Sequence, residues 1–278
     1  MRITIRDVQA MKSRGERISM FTAYDYTTAK LLDRAGVPML LVGDSLGMTV
    51  LGYDSTIPVT LDDMVHHVKA VMRGAHRPLV VGDMPFMTFQ VSESQTVANA
   101  GRLLQVGGCQ AVKLEGGVRV ASTVKRLVEA GIPVMGHIGL TPQSVNELGG
   151  YRAQGKTAAA ATRLLLDAQA LEEAGAFAVV LECIPTPLAR VITDRLKVPT
   201  IGIGAGPYCD GQVQVINDLL GLNPDFTPRH AKPYAQMGLS IIDIARQHME
   251  AVQDGSFPEE QNGYQMDEAA LAEFLQQA

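Results

Sequence analysis

PMLLVGDS, residues 38–45, runs from a proline through four apolar residues to a glycine, an acid and a hydroxyl. It is too short for a buried helix and too continuously apolar for a strand with one wet face, so it reads as a strand buried on both sides. The same phrase recurs as ISMFTAYD (18–25), PLVVGDM (78–84), QAVKLEGG (110–117), PVMGHIG (133–139), FAVVLEC (177–183) and PTIGIGAG (199–206). QVQVIND (212–218), shorter and half polar, completes eight candidate strands. Between most of them lie segments with helical spacing, such as LDDMVHHVKAVMRGA and TAAAATRLLLDAQALEEAG, several closed by a glycine suited to a helix C-cap. Buried strands alternating with helices predict a parallel sheet covered by helices, and eight units favour closure into an α/β (β/α)8 TIM barrel over an open sheet. The 278 residues suit one such barrel, which takes roughly 250.

The barrel domain is expected over residues 1–255, with LSIIDIARQHMEAVQDG as its last helix and a polar C-terminal extension over 256–278. Within that extension EAALAEFLQQA either forms a terminal helix or frays. A composition of 46% hydrophobic and 19% charged residues is that of a folded chain with a sizeable core. The formal charge of -5 and scattered Lys and Arg offer no surface for phosphate backbones, so nucleic acid is not an expected partner. The three cysteines contain no C-x-x-C pair, which points to reduced thiols and not to a disulfide framework or thiolate zinc site. No apolar run approaches the roughly 20 residues of a membrane span, and the charged N-terminus lacks a signal-peptide core. A cytoplasmic protein without membrane contact is expected.

In parallel β/α folds the reacting groups gather at the C-terminal ends of strands. Asp44 follows MLLVG, Asp83 follows LVVG, Glu115 follows AVKL and Glu182 follows AVVL. Any one of these is equally a helix cap or a turn residue. Four converging on one rim raise each other's pKa unless a cation compensates them, and an all-oxygen set suits a hard ion such as Mg²⁺. Such an ion keeps positions open for the carboxylate and keto oxygens of a 2-oxo acid. Lys113 lies two residues before Glu115, on the same strand face, where it either neutralises bound acid or simply pairs with Glu115. His137 ends another strand and reads as a hydrogen-bonded core residue before it reads as a base. His66 and His67 fall mid-helix and carry no assigned chemistry.

Two motifs tempt other readings. GYRAQGKT (150–157) fits G-x-x-x-x-G-K-[ST] at every position, but polar LTPQSVNELG precedes it where a P-loop requires a buried strand. GIGAG (202–206) allows close backbone approach to a ligand or merely turns the chain.

FTAYDYTTAKLLDRAG, LVGDSLGMTVLGYDSTIPVTLDDM, GDMPFM, VKLEGG, GHIGLTPQSVNELGGYRAQGK, LECIP, IGIGAG and CDGQV follow one another in an order that closely resembles the ketopantoate hydroxymethyltransferase family. The resemblance implies a barrel of the phosphoenolpyruvate/pyruvate superfamily, assembled as a homo-oligomer, a decamer. It implies transfer of a one-carbon unit from 5,10-methylenetetrahydrofolate to 3-methyl-2-oxobutanoate, giving 2-dehydropantoate and tetrahydrofolate in pantothenate biosynthesis. By the same resemblance Asp44, Asp83 and Glu115 are Mg²⁺ ligands, Asp44, Ser45, Asp83 and Lys113 contact the oxo acid, and Glu182 is the catalytic acid/base. LNPDFTPRHAKPYAQMG and the C-terminal extension are less typical of the family. A Mg²⁺-dependent aldolase or lyase on a related 2-oxo acid is the alternative that shares the enolate step without folate.

Overall fold

The structure is a computed structural model describing residues 1–278. Eight parallel strands close into one barrel in chain order: β1 Ile18–Thr22, β2 Met39–Val42, β3 Leu79–Asp83, β4 Ala111–Glu115, β5 Val134–Gly139, β6 Ala178–Glu182, β7 Thr200–Ile203 and β8 Gly211–Gln214. All eight apolar runs are strands. The last is shorter than QVQVIND suggests, because Ile216 donates its amide to Thr22 Oγ1 and starts the helix Ile216–Leu220.

Strand alternation divides the core in two. Outward residues such as Leu40, Val80, Val112 and Val179 pack under the surrounding helices, while Met39, Leu79, Val81, Ala111, Met135 and Val180 fill the barrel. The N-terminal helix Ile5–Ser13 closes the floor, with Val8 fully buried among the interior residues. Its start is fixed by a capping box between Thr4 and Asp7, and the helix Leu61–Gly74 begins the same way with Thr60 and Asp63.

Followed upward, the interior positions change character. β3 runs Leu79, Val81, Asp83; β4 runs Ala111, Lys113, Glu115; β5 runs Met135, His137; β6 runs Ala178, Val180, Glu182. The period of two therefore carries an apolar floor into a charged mouth without any irregular backbone.

GYRAQGKT lies in the connection between β5 and the helix Ala158–Glu173, whose N-cap is Thr157, and no strand runs into Gly150. That excludes the phosphate-loop arrangement.

β7 passes directly to β8 without a helix, and Ser19 on the outer face of β1 is exposed. The helix Met237–Gln253 does not lie back on the barrel: only Gly238 is buried, while Ile241, Ile244, Met249 and Val252 are exposed. The terminal apolar stretch is also helical, Glu268–Gln277, with no buried residue. No helix is long and apolar enough to cross a membrane.

Candidate active site

Asp44, Ser45, Asp83, Lys113, Glu115 and Glu182, with His137, line one cavity of about 1640 Å³ at the C-terminal mouth of the barrel. Every sequence-derived candidate is thus brought together. Neighbouring strands place the groups side by side, since Asp83 faces Lys113 across β3 and β4, Glu115 faces His137 across β4 and β5, and Gly139 faces Glu182 across β5 and β6.

The side chains form a chain of charge. Lys113 Nζ is 2.9 Å from Asp83 Oδ1 and 3.2 Å from His137 Nδ1; His137 Nδ1 is 3.4 Å from Glu115 Oε1, and Nε2 is 3.1 Å from Glu182 Oε2. The Lys113–Asp83 and His137–Glu182 contacts are short but off the hydrogen-bond axis, so charge and not directed bonding holds them, and Asp83 Oδ1 has no aligned donor. Burial and the adjacent Lys113 work against protonation of His137, but Glu115 and Glu182 outweigh them and lift its pKa to about 9. A neutral His137 accepts from Lys113 at Nδ1; a charged one donates there to Glu115.

Asp44 is pushed well above the usual carboxylate range by burial and by the nearby Asp83 and Glu115. Burial also raises Asp83, against the pull of Lys113. Lys113 itself is raised, because three carboxylates overcome the burial that would lower it. With all groups ionised, four carboxylates face two cations, and two negative charges remain uncompensated.

Asp44 follows Val42 and Gly43, past the end of β2, and its amide points at Asp83 Oδ2, 3.3 Å away. Ser45 Oγ is 2.8 Å from the buried Tyr24 hydroxyl, which fixes the direction of the seryl oxygen. Gln143, on the turn after β5, donates its amide nitrogen to Glu115 Oε2 at 3.0 Å and its Nε2 to Asp44 Oδ2 at 2.8 Å. Tyr24 and Gln143 fall inside stretches that resemble the family, FTAYDYTTAKLLDRAG and GHIGLTPQSVNELGGYRAQGK, but neither residue type nor spacing assigns them a role. His137 did carry a signal: it takes the barrel-facing position on β5, beside Glu115, so the core reading captures its burial but not its charged neighbours.

As the side chains stand, no three His, Cys, Asp or Glu residues converge to grip an ion. The test of fit is therefore one of donor chemistry. The donors are oxygens, the group carries two uncompensated negative charges when all its members are ionised, and Asp83 Oδ1 keeps a lone pair without an aligned donor. That set suits a hard divalent cation.

The family profile described as ketopantoate hydroxymethyltransferase matches residues 2–260. The chain belongs to this family. Ketopantoate hydroxymethyltransferases are enzymes, and hydroxymethyl transfer in pantothenate biosynthesis is accordingly the activity of this chain. A 3-methyl-2-oxobutanoate hydroxymethyltransferase of Chloroflexus aurantiacus is 60% identical over 275 residues, covering 99% of this chain and 97% of that one. Among solved structures, 2,3-dimethylmalate lyase, a member of the PEP mutase/isocitrate lyase superfamily, superposes with a TM-score of 0.59 at 15% identity, over 98% of this chain and 94% of that one. Phosphonopyruvate hydrolase in complex with oxalate and Mg²⁺ gives 0.59 at 12% identity, over 99% and 96%. These likenesses show that this chain has the same barrel fold as those two enzymes.

Proposed function

We propose that the enzyme takes its one-carbon unit from 5,10-methylenetetrahydrofolate and adds it to C3 of 3-methyl-2-oxobutanoate, with Mg²⁺ held by Asp44, Asp83 and Glu115. The observation that carries this reading is the buried group of carboxylates at the barrel mouth, with more negative charge than Lys113 and His137 offset. The Mg²⁺ and oxalate named with phosphonopyruvate hydrolase support it, since oxalate, like a 2-oxo acid, presents two adjacent oxygens.

A divalent cation there supplies a Lewis acid that polarises the keto oxygen and makes the C3 proton removable. Glu182 takes that proton. It is the least buried of the four acids, with its side chain 17% exposed to the cavity and its Oε2 3.1 Å from His137 Nε2. Lys113 offsets the charge of the bound acid as negative charge develops, while Ser45, held by Tyr24, orients the acid together with Asp44 and Asp83. The resulting carbon nucleophile attacks the folate-borne methylene, and water completes the hydroxymethyl group as tetrahydrofolate leaves. Pockets for single ligands span roughly 300–1,000 Å³. A cavity of about 1640 Å³ leaves room for a second, larger substrate.

The exposed apolar residues of the helix Met237–Gln253 support a homo-oligomer, a decamer by resemblance to the family. Three free thiols, Cys109, Cys183 and Cys209, suit a reducing cytoplasm. The test is proton exchange: 3-methyl-2-oxobutanoate in deuterated water should lose its C3 proton in the presence of enzyme and Mg²⁺, without folate. Absence of exchange under those conditions would remove the proposed first step.

A further inference from the structure

We infer that Gln143 is a positioning residue that sets the cation-binding carboxylates in place; the inference rests on the reading of Asp44, Asp83 and Glu115 given above. Gln143 sits on the turn Pro142–Ser144, outside the strands that carry those acids, yet it reaches the ends of β2, β3 and β4 and bonds two of the acids directly. Its backbone nitrogen donates to Glu115 Oε2 at the end of β4, at 3.0 Å. Its Nε2 donates to Asp44 Oδ2 beyond β2, at 2.8 Å, and to the carbonyl oxygen of Met84 beyond β3, at 3.0 Å.

The Met84 carbonyl is a pure acceptor, and Asp44 is one in the ionised form that would hold a cation, so the orientation of the amide is fixed by chemistry: the reverse orientation would set oxygen against two oxygens. The residue is 3% exposed, and its own Oε1 has no partner. A side chain that leaves its own acceptor unpaired in order to donate to two acceptors is held there by those two bonds. The consequence is that one oxygen of Asp44 and one of Glu115 are occupied and directed, which leaves the other oxygen of each with a defined aim. Groups that orient metal ligands in this way typically contribute about 10- to 100-fold in metal affinity.

The experiment measures Mn²⁺ binding by electron paramagnetic resonance, without substrate, in the wild type, Gln143→Met, Gln143→Asn and Asp83→Ala. Methionine keeps the volume but has no donor; asparagine keeps the amide but is too short to span both acceptors. Expected is a dissociation constant raised about 10- to 100-fold in both Gln143 variants, with unfolding in a chelator still cooperative and kcat largely restored at saturating Mg²⁺. If the methionine variant does not fold, the asparagine variant decides. Affinity within about twofold of wild type in a folded Gln143 variant, with Asp83→Ala impaired, overturns the inference alone. Unchanged affinity in Asp83→Ala overturns the cation reading and this inference with it.

Discussion

Lys113 Nζ stands 2.9 Å from Asp83 Oδ1, between residues that face each other across β3 and β4, and both side chains are buried. Removing one member of a buried pair strands the other charge, at a cost of about 3–5 kcal/mol. Lys113→Met should therefore lose about 3 kcal/mol of unfolding free energy in a chelator at neutral pH, measured by denaturant titration. The sign with pH follows from Asp44 and Asp83, whose folded pKa values lie above their ordinary ones. The folded state binds their protons more tightly than the unfolded chain does, so the deficit should shrink as pH falls and grow as it rises. A variant as stable as wild type without divalent ions would show that the pair does not compensate the mouth.

Glu182→Gln keeps the shape of the side chain but cannot accept a proton. The oxo acid and Mg²⁺ should still bind, while C3 deuterium exchange falls by about 10²- to 10⁴-fold. Exchange at the wild-type rate would assign the base elsewhere.

Gly139 holds the turn out of β5 at φ +99°, and a Cβ there would stand 2.1 Å from the Glu182 carbonyl oxygen and 2.8 Å from Ile184 Cγ2. Gly139→Ala should lose at least about 1–3 kcal/mol from backbone strain, and activity beyond that, because Glu182 must move. Gly131 is the control: it has φ +83°, with nothing within 4 Å of the added carbon. Gly131→Ala should show only the conformational cost, with kcat unchanged. Equal loss of activity in both would deny the link from Gly139 to Glu182.

Thr60→Ala removes the capping box at the start of the helix Leu61–Gly74 and should cost about 1 kcal/mol at neutral pH. Hydrogen bonds from Thr60 hold the Asp63 carboxyl below its ordinary pKa. That contribution is present above the unfolded value and lost as pH falls through the folded one, so wild type and variant should converge in acid. A pH-independent difference would mean that the Asp63 half of the box adds nothing.

The barrel was legible because its strands are buried on both faces, so each apolar run ends abruptly where the chain meets the mouth. Asp83, Glu115 and Glu182 were legible for the same reason, each closing such a run. His137 was half legible: its position on β5 is plain, but its neighbours belong to β4 and β6, and register is not written locally. Gln143 and Tyr24 were not legible, since each acts across the mouth on residues 99 and 21 positions away. The segment Met237–Gln253 was legible as a helix, but it was expected as the last helix of the barrel, and its apolar residues gave no sign that the barrel would leave them exposed.

The most direct measurement follows the transferred carbon itself. Enzyme, 3-methyl-2-oxobutanoate and 5,10-methylenetetrahydrofolate labelled with carbon-13 at the methylene should yield 2-dehydropantoate labelled at its hydroxymethyl carbon, read by NMR, with Mg²⁺ present and not after chelation. Product formed without the folate donor, or at the same rate after chelation, would contradict a cation-assisted transfer from folate.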